Sequence, residues 1–303
     1  MKQINGDNPG NFLNKILYFF QCIINHKKGN DGYCEINNPT LSILNLETFD
    51  KSPSRLLCDG LWNSIDYENI KSQLNSNLNF FDIGCGSGLY GTFLKKFSSQ
   101  YFESYTGLDV YKNDKYPQEF SHITDKAENV FQYINKKINF VISQSALEHI
   151  EKDIFVLNEI TRKLDKNNTP FIQIHLIPAS KSLWLYLWHG YRQYSKKNLS
   201  NISNILKKKF NVKTSIIPLG GNISFWTHLK YITLSEFFRK FILKDKLFKW
   251  SNQKNIEKKI AKSVNKELDC KQESPIFWAF IISSNNISIK DNLVKNSKSK
   301  EGK

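Results

Sequence analysis

Short continuous apolar runs alternate with segments of helical period along most of this chain, and the alternation predicts its architecture. The runs ending at Asp82 and Asp109, a short piece near 120, and those at 138–143, 171–177, 212–218 and 276–283 read as seven strands. Helical period appears at 66–74, 89–97, 153–164 and 196–208; in the third of these Ile154, Leu157, Ile160 and Leu164 share one face. Strand and helix in turn imply a mostly parallel sheet with helices on both faces and ligands at the strands' C-terminal edge. Before this pattern, residues 1–10 are polar and read as loose, and Phe12, Ile16, Phe19, Phe20 and Ile23 make 11–25 a helix. Residues 26–50 read as irregular connection, and the Lys-, Asn- and Ser-rich 284–303 as a disordered tail.

One stretch carries the chemistry. Phe80-Phe-Asp82-Ile-Gly84-Cys85-Gly86-Ser-Gly88-Leu-Tyr-Gly91 is a buried strand, a tight turn and a helix start. Glycines at alternate positions admit positive φ and let a ligand approach the backbone, and the new helix offers its free N–H groups. Gly86-Ser-Gly88-Leu-Tyr-Gly91 also spells a dinucleotide fingerprint with Asp109 downstream. That reading leaves Asp82 and Gly84 inside a central strand, where a carboxylate and a glycine fit poorly.

Ending the strand at Asp82 makes Asp82–Gly88 the loop, and this resembles motif I of the class I S-adenosyl-L-methionine (SAM)-dependent methyltransferases. The likeness continues downstream. Asp109 matches the acid that accepts both ribose hydroxyls, and Asp125-Lys126-Ala127 the segment beside the adenine, where Asp125 is equally a helix cap. Gln144-Ser-Ala-Leu-Glu-His149 is similar to the "LEH" segment of quinone and small-molecule methyltransferases. The resemblance implies a Rossmann-like, mostly parallel seven-stranded α/β sheet whose last strand runs antiparallel beside the fifth. It implies SAM as cofactor, held by Asp82, Gly84, Cys85, Gly86, Gly88, Asp109, Asp125, Lys126, Ala127 and Gln144. Residues 1–50 are then an N-terminal extension and 51–283 the methyltransferase domain, with cap insertions at 178–195 and 219–274.

Both insertions leave from the cofactor edge, so they should form the acceptor pocket. The first carries Trp188, His189, Tyr191 and Arg192, the substrate candidates. The second has an expected helix at 235–250 with rings and lysines interleaved, suited to peripheral contact with an anionic membrane or to simple packing. No Asn/Asp-Pro-Pro-Tyr/Phe follows the fourth strand, and no cysteine sits at the fourth or fifth, which argues against amino and cytosine-C5 transfer. Transfer to a hydroxyl needs its proton removed, and His149 is the candidate catalytic residue, ahead of His175 and His189. No metal cluster is evident from spacing.

Charge and cysteine content adjust this picture modestly. A net charge of +15 suggests nucleic acid or an anionic membrane, yet the basic residues are almost all lysine, with arginine only at 55, 162, 192 and 239. Scarce arginine weakens a base-reading role, because arginine supplies the bidentate contacts. Five scattered cysteines without CxxC favour a reducing, cytoplasmic setting, at most peripheral to the inner membrane face. The expected activity is O-methylation of a small, glycan, quinone-like or lipid-linked acceptor. The alternatives are an RNA methyltransferase using the basic C-terminal segment and a SAM-binding module without activity.

Overall fold

Capping residues set the starts of four helices. Asn11 accepts from the Asn14 N–H at 2.8 Å to open α1 (Phe12–His26). Ser52 with Pro53 opens α2 (Pro53–Ser64), Asp66 opens α3 (Tyr67–Leu74), and a Ser195–Asn198 capping box opens α6 (Lys196–Lys209). The computed structural model describes residues 3–29, 32, 34–43, 46, 51–235, 253–268, 270, 274–288 and 293–294. The expected helix at 235–250 and most of the expected C-terminal tail lie outside these residues.

The strands are β1 (Glu35–Ile36), β2 (Leu78–Ile83), β3 (Phe102–Asp109), β4 (Ser121–Thr124), β5 (Phe140–Gln144), β6 (Ile172–Pro178), β7 (Val212–Leu219) and β8 (Phe277–Ser284). They form one sheet in the order β1-β7-β8-β6-β5-β2-β3-β4. Only β8 is antiparallel to its neighbours, and it lies between β6 and β7 as the family resemblance implies. The sheet has eight strands where the sequence predicts seven. The addition is β1, two exposed residues in the stretch read as irregular, held by parallel pairing with the edge strand β7. Pairing of that kind comes from the backbone and leaves no hydrophobic period to read.

Side-chain alternation along the strands builds a core on each face of the sheet. Phe140 and Ile142 of β5 meet α2, α3, α4 (Leu89–Ser98) and α8 (Gln253–Leu268), while Val141 faces α5 (Asp153–Lys166) and α6. The N-terminal helix is separate from both. Tyr18 and Cys22 of α1 pack with Leu183 in a small third core, against the first cap segment.

The two segments read as caps touch each other. Segment 179–194 is closed at its base by the parallel bridge between Ala179 and Tyr194. The second begins with α7 (Asn222–His228), whose first N–H groups are satisfied by the buried Glu267 of α8, at 2.8 Å to Ile223 and to Ser224. The Tyr186 and His228 rings lie 5.0 Å apart, and the Thr233 hydroxyl donates to the Leu185 carbonyl at 3.1 Å. Among the described residues no helix is long and apolar enough to cross a membrane.

Candidate active site

The glycine turn follows β2 directly. Gly84, Gly86 and Gly88 have φ of +71°, +52° and +73°, conformations that favour glycine. A Cβ on Gly84 would lie 2.4 Å from the Ala146 side chain, so the turn is pressed onto the segment after β5. A Cβ on Gly86 would meet nothing within 4 Å. Packing therefore does not demand glycine there; the backbone borders open space. Behind it starts α4, whose N-cap Gly88 offers no side chain to its free N–H groups.

Two acids frame this cradle. Asp109, at the end of β3, accepts from the Gly86 N–H at 2.8 Å and the Val110 N–H at 2.7 Å, which ties the turn to the neighbouring strand. Its half-exposed carboxylate keeps lone pairs for further donors. Asp82 is buried and accepts from the Tyr105 hydroxyl. Burial, with the charge of Asp109 nearby, pushes the Asp82 carboxyl up to about 7 despite that hydrogen bond. Burial likewise pushes the Cys85 thiol well above its usual range. Gly84 and Cys85 donate their N–H groups to the Leu108 carbonyl at 2.8 and 3.3 Å.

Asp125 is tied to its own surroundings. Its carboxylate accepts from Tyr133 at 2.6 Å, Asn129 at 2.9 Å and the Lys126 N–H at 2.7 Å, and these bonds lower its pKa. Its backbone N–H donates to the Asp109 carbonyl at 3.0 Å, so the adenine-side candidates Asp125, Lys126 and Ala127 adjoin the ribose-side candidate. Gln144, buried at the end of β5, accepts from the Trp62 indole N–H at 3.1 Å and so links α2 to the same edge. An open backbone cradle, a helix start and an acid at the next strand's end suit a ligand with an amino-acid end and a ribose.

Beyond Gln144 the chain turns at Ser145, with φ of +51°, and reaches Glu148 and His149. The rings of His149 and His189 stand edge to face, 4.5 Å apart. Their common partner is Asp7, which lies 2.7 Å from His149 Nδ1 and 3.4 Å from His189 Nδ1. Burial works against a charge on Asp7, but hydrogen bonds from the two histidines hold its carboxyl well below the usual range. Burial also disfavours protonation of His189, but Asp7 and Glu148 outweigh it and raise its pKa to about 9. Glu148 is 0% exposed. One ligand atom from each of Glu148, His149 and His189 falls within 4.8 Å of the others, a grouping invisible in their sequence spacing.

The remaining histidine candidate and the side chains of Trp188 and Arg192 are engaged elsewhere. His175 is enclosed in β6 with Ser143 at 2.9 Å, and burial drives its pKa down to about 3. Trp188 packs edge-on against Phe19 and under the Lys15 ammonium, in the seam with α1. Arg192 donates to the buried Asp153 at 2.6 Å and to the Glu151 carbonyl at 2.7 Å, so its guanidinium serves the fold. Tyr191 donates its backbone N–H to the Glu148 carbonyl at 2.6 Å. Asp7 was not foreseeable: it sits in a polar stretch with no periodicity, and only the fold brings it to the histidines. Glu148 stood beside His149 in the "LEH" string, and that was its only signal.

Residues 81–170 match the family model described as a methyltransferase domain. Among solved structures, the plantazolicin methyltransferase BamL, solved with a triazolic desmethylPZN analog and SAH, is 18% identical with a TM-score of 0.44 over 76% of this chain and 85% of that one. A putative sarcosine dimethylglycine methyltransferase from Galdieria sulphuraria is 13% identical, TM-score 0.45, over 76% and 86%. A SAM dependent methyltransferase from Archaeoglobus fulgidus is 17% identical, TM-score 0.40, over 72% and 95%. No curated protein matches the chain.

Proposed function

We propose, from the premise that this chain is a class I SAM-dependent methyltransferase with its family match at residues 81–170, that it methylates a hydroxyl on a lipid-linked acceptor. The observation that carries the reading is the Glu148–His149–His189 cluster, whose Glu148 and His149 closely follow Ala146, the residue pressed against Gly84. Bound SAM supplies an already activated methyl group. The open backbone at Gly84–Gly88 would hold its amino-acid end, Asp109 would take its ribose hydroxyls, and the segment from Asp125 to Ala127 would border its adenine.

The protein's own work is alignment and proton removal. The acceptor oxygen forms its bond to the methyl carbon, the carbon–sulfur bond breaks with its electrons left on sulfur, and the hydroxyl proton is lost at the histidine cluster. Tyr186 and His189 of the first cap segment, their rings 5.6 Å apart, line the acceptor side. His149 is the proposed catalytic residue.

Lipid linkage is supported by the outer face of α1. Phe12, Leu13, Leu17, Phe20 and Ile24 are exposed there, and Trp184 of the first cap segment extends the apolar surface. Exposed Lys27 and Lys28 follow at the helix end on a chain of net charge +15, a complement to anionic headgroups. Incubation with methyl-labelled SAM and a host extract tests the reading. Label is expected in the lipid fraction, on oxygen. Label in RNA, protein or amine metabolites overturns it, and so does SAM binding without turnover.

A further inference from the structure

Glu148 lacks what a buried carboxylate needs. It is 0% exposed, and neither of its oxygens has a hydrogen-bond partner. Its nearest basic group, His189 Nε2, is 3.8 Å away, beyond hydrogen-bond reach. A buried carboxylate whose oxygens receive no hydrogen bond is costly even with a cation nearby, so the arrangement has room for a further partner.

The histidines show what would complete it. Asp7 engages the Nδ1 side of both rings, at 2.7 Å for His149 and 3.4 Å for His189. A carboxylate behind the imidazole, fixing tautomer and ring orientation, is the usual outer partner of a metal-binding histidine. It leaves Nε2 of each ring to coordinate. The three segments are also locked together. The Gly190 N–H donates to Asp7 at 3.1 Å and the Gly6 N–H to the Gly190 carbonyl at 2.6 Å. Gly190 has φ of +62°, and a Cβ there would lie 2.5 Å from the Glu148 carbonyl oxygen.

We infer that Glu148, His149 and His189 bind a divalent first-row transition ion, with Asp7 as the positioning residue behind both histidines. Ligand atoms within 4.8 Å of one another can close onto such an ion at bond lengths of about 2.0–2.2 Å with small side-chain adjustments. Two imidazoles and one carboxylate select zinc, iron or manganese over magnesium or calcium, which take oxygen ligands. Three protein ligands leave positions open, and the half-exposed histidines put those positions on the solvent side. The role in catalysis rests on the hydroxyl-transfer reading above: with an ion bound the histidines would serve as ligands rather than as the base, the acceptor oxygen would coordinate, the ion would lower its pKa, and the proton would leave the cluster for solvent water.

The test uses the full chain, stripped with a chelator, then titrated calorimetrically with zinc and with manganese, and spectroscopically with cobalt. One ion per chain is expected, with magnesium binding far weaker. Glu148→Gln and His149→Asn should each abolish the stoichiometric site, and Asp7→Asn should weaken it by about 10- to 100-fold. His149 is on the surface, so its variant remains informative should Glu148→Gln not fold. Absence of stoichiometric binding overturns the inference, and so does binding that persists in His149→Asn, which would place the metal elsewhere, for instance at exposed Cys270. Hydroxyl methylation by a chain that binds no metal overturns the site and leaves the functional reading standing; metal binding without hydroxyl methylation does the reverse.

Discussion

Asp7 and His149 are 142 residues apart in the chain and 2.7 Å apart in the fold. The contact brings the N-terminal segment to the proposed catalytic histidine. Asp7→Ala should therefore lower kcat at least tenfold, through loss of ring orientation, while SAM affinity stays nearly unchanged. Steady-state kinetics with calorimetric SAM binding checks both halves. A raised SAM Kd with unchanged kcat would place Asp7 at the cofactor instead.

Asp109 holds the Gly86 N–H and is proposed to meet the ribose, so Asp109→Ala should weaken SAM binding. Hydrogen bonds to charged groups contribute roughly 1.5–3 kcal/mol each, which predicts a Kd increase on the order of 10- to 100-fold. Calorimetry with SAM and with NAD measures this, and tight NAD binding in the parent chain would contradict the cofactor assignment.

Arg192→Ala should act on stability. It strips the guanidinium from Asp153, whose side chain is 2% exposed, and leaves that carboxylate with the Tyr194 hydroxyl at 2.7 Å and the Ile154 N–H at 2.8 Å. Breaking a buried pair from one side costs about 3–5 kcal/mol. Urea unfolding should show the loss, and Arg192→Met with Asp153→Leu should recover much of it. An acceptor KM effect with unchanged stability would restore Arg192 to the substrate site.

His175 predicts a pH dependence. Its folded-state pKa is depressed to about 3 by burial, against an ordinary 6.5. Between those values the unfolded chain binds a proton that the folded chain does not, so stability falls as pH drops from 6.5 toward 3. His175→Gln should flatten that limb between pH 6.5 and 5. Unfolding curves at both pH values, compared with the parent, give the difference directly.

The outer face of α1 predicts membrane attachment. Phe12 is 75% exposed and Phe20 59%. Burial of a phenylalanine side chain contributes about 1.5–3 kcal/mol, so Phe12→Ser with Phe20→Ser should reduce binding to anionic phospholipid vesicles by roughly 100-fold or more. Co-sedimentation measures it. Equal binding by parent and variant would remove α1 from the membrane contact.

The sequence by itself determined seven of the eight strands and the glycine turn, and the family resemblance implied the antiparallel last strand. The strands and the turn rest on local signals: apolar runs ending at Asp82 and Asp109, and glycines where φ must be positive. Tertiary structure decided the rest. β1 exists through pairing with an edge strand, which leaves no pattern in its own two residues. Trp188 and Arg192 looked like pocket residues because they share a segment with His189, yet packing turned one toward α1 and the other toward Asp153. The grouping of Asp7, Glu148, His149 and His189 draws on three segments remote in the chain, and proximity of that kind is a property of how elements close on one another.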